Sequence, residues 1–136
     1  YAAGLYLEST SADAQAIIDA DTPMAIRMYM TTGMASKEKL RDAWTEGFEN
    51  ATGGNTGSIK EEIAKFNALF NVDPDEGDMY EIAYLPGKGI SVSLNDKPQG
   101  AAIPGMNFKK AVFGIWLAKN IDDKYLKKLK YDLLGK

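Results

Sequence analysis

Lys39 and Glu46 are an ionisable pair of which one could border a binding cleft. They stand seven positions apart, two turns along one face of a helical stretch. They draw notice because the usual chemical inventory is missing: the 136 residues include no histidine and no cysteine. That removes the common general base at neutral pH, the commonest transition-metal ligand, thiolate catalysis, disulfides and Cys-ligated metal centres. Acid–base chemistry is left to Asp, Glu, Lys and Tyr. A solvated helix face is the plainer reading of the pair. The sharper one sets one of them at the mouth of a cleft, where a lysine meets a carboxylate.

The remaining candidates are apolar or weak. Trp44 and Trp116 fall on apolar helical faces, which makes them core residues first and cleft-lining residues second. Met24, Met28 and Met30 give a pliable wall that fills a core and also suits an apolar ligand of variable shape. Asp73, Asp75, Glu76 and Asp78 crowd one turn, but the stretch lacks the glycine and the closing glutamate of a calcium loop. Gly87-Lys88-Gly89 is too short for a phosphate loop. Lys124, Lys127, Lys128 and Lys130 make the last helix basic, which reads as a solvated face before it reads as a surface for anionic membrane or an acidic partner. No cofactor is implied.

The elements that must position these side chains follow from periodicity. Tyr1 to Glu8 reads as a strand. Ser11 is placed to cap a short helix running to Ala20, stopped at Asp21-Thr22-Pro23. Met24, Ile26, Met28 and Met30 alternate with Ala25, Arg27 and Tyr29, the period of a strand with one face in the core. Ser36 caps the longest helix, whose inner face carries Leu40, Ala43, Trp44, Gly47, Phe48 and Ala51. After a Gly-rich loop, Ser58 and Glu61 have the spacing of a capping box, with Ile59, Ile63, Phe66 and Phe70 inward. Met79 to Leu85 and Ile90 to Leu94 alternate about a Pro86-Gly87 turn, and Pro98 to Ile103 is expected as a short edge strand. Asn107 starts a helix with Phe108, Ala111, Val112, Ile115 and Trp116 inward. Asp122 or Asp123 caps a last one carrying Tyr125, Leu126, Leu129 and Leu133. Hairpin spacing in the meander demands antiparallel pairing, so the class is α+β.

Length and charge agree with one domain over residues 1–136. A chain of this size buries roughly two thirds of its unfolded surface without staples. The formal net charge of -3 argues against a nucleic-acid partner. No apolar run is long enough to span a membrane. The chain opens inside a strand-like run, Tyr1 to Leu7, so an upstream segment is expected to have been cut away. An exposed sheet edge left by that loss would invite pairing with a second copy.

Several stretches, taken in order, resemble the chalcone isomerase-like family, in particular its bacterial exported branch. They are Tyr1-Ala2-Ala3-Gly4-Leu5-Tyr6-Leu7, Ser11-Ala12-Asp13-Ala14, Leu40-Arg41-Asp42-Ala43 with Gly47-Phe48, Tyr84-Leu85-Pro86-Gly87-Lys88-Gly89, and Phe108 to Leu117. The resemblance implies an open-faced β-sandwich, an antiparallel sheet covered on one side by helices, here lacking its N-terminal strands. It also implies a periplasmic or secreted location. The plant isomerase closes a flavanone ring by orientation and electrostatic stabilisation, using an arginine with hydroxyl and amide side chains. The arginine-bearing stretch would lie before Tyr1. The strand threonine matches Tyr1, the catalytic tyrosine falls near Lys39, the asparagine near Glu46, and the late-helix threonine at Ile115.

The resemblance therefore implies a non-catalytic domain that holds a small apolar or amphipathic molecule, such as a fatty acid. Its ligand-binding residues would be Tyr1, Lys39, Trp44, Phe48, Phe113, Ile115 and Trp116, and a cavity is expected among Trp44, Phe48, Phe113, Ile115 and Trp116; that volume packed solid with side chains would count against the reading. One alternative is an intramolecular lyase of the chalcone-isomerase type that uses an arginine from the missing segment. The other is a structural or partner-binding domain.

Overall fold

The computed structural model describes the chain except residues 10, 32, 34, 119–123 and 136 and the side chains of residues 124 and 125. Strands β1 (Ala2–Leu7), β2 (Met24–Tyr29), β3 (Met79–Leu85), β4 (Gly89–Leu94) and β5 (Lys97–Pro98) form one antiparallel sheet in chain order. Helices α1 (Ala14–Asp19), α2 (Lys37–Thr52), α3 (Lys60–Ala68), α4 (Met106–Leu117) and α5 (Lys124–Leu133) accompany it. The α+β class and the open antiparallel sheet read from the sequence are what the chain adopts.

Alternation decides the two faces of the sheet. Met24, Ile26 and Met28 of β2 and Tyr80, Ile82 and Tyr84 of β3 are buried and meet the helices. The register Ile26↔Ile82 and Met28↔Tyr80 stacks them directly across the strands. Between them Arg27 and Glu81 pair on the other face at 2.8 Å, and the Arg27 guanidinium lies 4.7 Å from the Tyr6 ring centre. Burying the apolar face under helices is the main stabilising term, because the alternative exposes it to water.

Local corrections concern ends and caps. Asp13, not Ser11, caps α1: its carboxylate accepts the Ala16 N–H at 3.1 Å, while Ser11 Oγ accepts the Asp13 N–H. Ser36 caps α2 through the Lys39 N–H, as its position predicts. The Ser58–Glu61 box does not form. Residues Gly57–Ile59 make a 3₁₀ turn and Ile59 takes the position before α3. Ala43 is exposed. The last strand is only Lys97–Pro98, and Ile103 then meets Ile90 in a single bridge. The Asp122 or Asp123 cap and the packing of Tyr125 lie outside the described residues.

That bridge needs a glycine beside it. Gly89 has φ of 102°, and a Cβ there would lie 2.1 Å from the Ile103 carbonyl oxygen. Only glycine allows both the conformation and the approach.

Candidate ligand site

Helices α2 and α4 lie against each other over the sheet. Small residues set their separation: a Cβ on Gly47 would stand 2.9 Å from Ile115 Cγ2, and one on Gly114 would stand 2.8 Å from the Ala51 Cβ. This close approach brings Trp44 of α2 and Trp116 of α4 to 5.6 Å between ring centres. Phe48 meets Phe66 and Phe108, each at 5.5 Å, and Trp44 meets Phe70 at 5.3 Å. Tilted and edge-on ring pairs of this kind add to area burial. Trp116 donates its indole N–H to the Tyr1 hydroxyl at 2.8 Å.

Trp44, Phe48, Phe113, Ile115 and Trp116 are all buried in one core cluster, with Tyr1 packed at its edge. Lys39 does not join them; it is exposed on the outer face of α2. The cavity expected among these five side chains is not found: their shared volume is filled by their own rings and those of Phe66, Phe70 and Phe108. A polar cleft of about 440 Å³ lies elsewhere, between α1, α4 and the end of α2, with Gln15, Asn50, Asn55 and Lys110 in its wall. An apolar slot of about 230 Å³ runs between β1, α1 and β2, lined by Leu7, Ile17, Ala20 and Met24. None of the five predicted core side chains lines either space.

Lys109 is the residue that sequence reasoning missed. It is fully buried on α4, and its ammonium donates to the carbonyls of Ile17, Ile18 and Ala20 at 2.8, 2.7 and 2.6 Å. Those are end carbonyls of α1, which a cation complements. The ammonium also lies 5.5 Å from the ring centres of Tyr84 and Phe113. Burial pulls its pKa down to about 8, against the opposing pull of Asp19 and Asp21. Three donors meet three acceptors, so its capacity is used within the fold. A signal existed: Lys109, Val112, Phe113 and Trp116 share one helical face by their spacing.

Other polar groups also serve the fold. Tyr84 donates its hydroxyl to Asp21, which raises the Tyr84 pKa. Asp78 accepts from the Asp75 N–H and from Asn95, and these bonds hold its carboxyl below the usual range. Asp73 accepts the Lys37 N–H at 3.0 Å. The acidic turn thus fastens a loop and a helix start. Among the described residues, no group of three or more acidic side chains is placed to hold a metal ion.

The sequence profile described as chalcone isomerase-like matches residues 1–135. The chain belongs to the chalcone isomerase-like family. A solved fatty-acid binding protein of Arabidopsis thaliana is similar in structure, with a TM-score of 0.72 and 20% sequence identity. The alignment covers 89% of this chain and 59% of that one, so the chain spans under two thirds of the relative's length. No curated protein matches the chain.

This family's isomerase pattern is not kept at two of its helix positions. Ile115 is buried against Gly47 at the late-helix position, and Lys39 near the tyrosine position is exposed. The chain's two arginines, Arg27 and Arg41, are engaged elsewhere: one pairs with Glu81, the other donates to the Asn67 carbonyl at 3.1 Å.

Proposed function

We propose that this chalcone isomerase-like domain binds a small apolar or amphipathic molecule, such as a fatty acid, and catalyses no ring closure. The observation that carries the reading is the aromatic layer under α2 and α4, where Trp44, Phe48, Phe113, Ile115 and Trp116 stand without an arginine or amide among them. Ring closure of the family's kind needs groups that steer a phenolate and stabilise an enolate. An apolar guest needs none of them. The solved relative described as a fatty-acid binding protein supports the same choice.

Because the layer is filled by its own side chains, uptake of a guest has to displace some of them. Met28 and Met30, both buried on β2 or just past it, have the torsional freedom to repack around a chain. Tyr1 and Trp116 form a polar pair at the margin of the layer. Lys39, exposed on α2, has no part in this version of the site.

The test is native mass spectrometry of the protein purified from its own host, joined to titration with dodecanoate. A retained apolar acid and saturable binding are expected. The absence of both would overturn the reading. Faster-than-buffer cyclisation of a 2′-hydroxychalcone would restore the isomerase.

A periplasmic or secreted location belongs to the same proposal and rests on the resemblance to the exported branch. Self-pairing is favoured by one feature: among the described residues β1 has a strand partner on one side only. No helix among the described residues is long and apolar enough to cross a membrane.

A further inference from the structure

Two hydrogen-bond donors lie inside the core without an acceptor among the described residues: the indole Nε1 of Trp44 and the hydroxyl of Tyr80. Each side chain is 1% exposed. Native interiors leave few such donors unpaired, because each gives up water without replacing it. Phenylalanine at position 80 would keep the packing and avoid that loss.

The two orphans flank one ring. Phe70 lies 5.3 Å from Trp44 and 5.1 Å from Tyr80 between ring centres. It stands just past the end of α3, where the chain leaves the helix for the turn before β3. Met28 faces Tyr80 directly across the sheet and is fully buried, which puts a deformable side chain on the strand side. A third unpaired atom, the acceptor Oδ1 of Asn67, sits on the last turn of α3.

We infer that Trp44 Nε1–H and Tyr80 O–H are the anchoring donors for the acceptor head of an apolar guest, a carboxylate or carbonyl on a hydrocarbon chain, which is seated where Phe70 moves aside. The inference rests on the binding function proposed above and adds the place and polarity of the head. Indole N–H and phenol O–H both donate, so the complementary group is an acceptor. Burial, with the Asp78 carboxylate adding to it, raises the Tyr80 pKa, which keeps the hydroxyl protonated and able to donate. The tail then lies along Phe66, Phe48 and Phe108, whose rings continue the aromatic run from Phe70.

The experiment compares delipidated wild type with Trp44→Phe and Tyr80→Phe, using dodecanoate as the probe in calorimetric titration, and records the melting temperature of each free protein. Each substitution is expected to weaken dodecanoate roughly tenfold, the worth of one hydrogen bond to a charged group. Free Tyr80→Phe is expected to melt at or above the wild-type temperature, since an unpaired donor is removed at little cost in volume; Trp44→Phe also leaves a gap in the core and is read by affinity alone. Wild-type affinity in both variants overturns the inference and leaves the binding function standing with its head elsewhere. A lower melting temperature in free Tyr80→Phe also overturns it, because that hydroxyl then serves the fold, through a buried water. No dodecanoate binding by wild type overturns this inference, and joined to the absence of any retained molecule it overturns the proposed function as well.

Discussion

The ammonium of Lys109 lies 2.7 Å from the carbonyl oxygen of Ile18, so a residue of α4 completes the last turn of α1. Replacing it with methionine keeps the volume but leaves three inward carbonyls without a donor. Lys109→Met is expected to lower unfolding free energy by about 3 kcal/mol, from the cost of orphaned buried acceptors. Urea unfolding measures this, and a loss below about 1 kcal/mol would mean that solvent reaches those carbonyls.

The same lysine sets a pH dependence. Its pKa falls to about 8 in the folded protein from an ordinary 10.5. Between those values the unfolded chain holds the proton that the folded chain has lost, so unfolding free energy rises with pH. The gain is complete above the unfolded pKa and is lost as pH falls through 8, an effect of about 3 kcal/mol across the window. Asp19, Asp21 and Lys110 act on the group and Tyr84 packs over it. The contribution is read as wild type minus Lys109→Met at each pH. A flat difference from pH 8 to 10.5 would refute it.

Gly47 controls how near α2 comes to α4. Gly47→Ala drives a methyl to 2.9 Å from Ile115 Cγ2, and the branch point of the isoleucine leaves little room to yield. A loss of about 1–3 kcal/mol is expected from overpacking. Shortening the obstacle in Gly47→Ala/Ile115→Ala should recover part of it. A double-mutant cycle with no coupling would place the strain elsewhere.

Gly89→Ala is expected to be the harsher change, costing about 3 kcal/mol or more, because backbone strain and a clash with a carbonyl add together. Amide exchange at Ile90 and Ile103, whose N–H groups bond to each other's carbonyls at 2.8 Å, should accelerate first.

The elements were legible wherever one periodicity ruled. The alternation from Met24 to Met30 and from Tyr80 to Tyr84 named the buried sheet face correctly, because a strand with one wet side has no other pattern. Caps were less legible. Ser11 and Asp13 can both accept a helix N–H, and only the position of the first turn separates them. The edge after β4 was overread, since Ile103 pairs through a single bridge that leaves residues 99–102 outside any strand.

The site was legible as a composition and not as a space. Periodicity assigns Trp44, Phe48 and Trp116 to inner faces, but it carries no information on how rings tilt into each other's gaps. Lys39 stands beside an aligned catalytic position and among the polar neighbours Glu38 and Asp42, and its exposure on α2 agrees with the solvated face that those neighbours predict. Lys109 was passed over because a lysine is assumed to reach water, an assumption that fails when a helix end offers three acceptors.

The Arg27–Glu81 pair on the uncovered side of the sheet has a consequence for how the chain finds its arrangement. Opposite charges sit at directly facing positions of β2 and β3. Sliding either strand along by one residue would carry its charge inward among Ile26, Met28 and Ile82 and send the greasy partners outward. One ion pair, weak as a contributor to stability in water, therefore acts as an alignment mark that rejects every odd-numbered misthreading of this central strand pair.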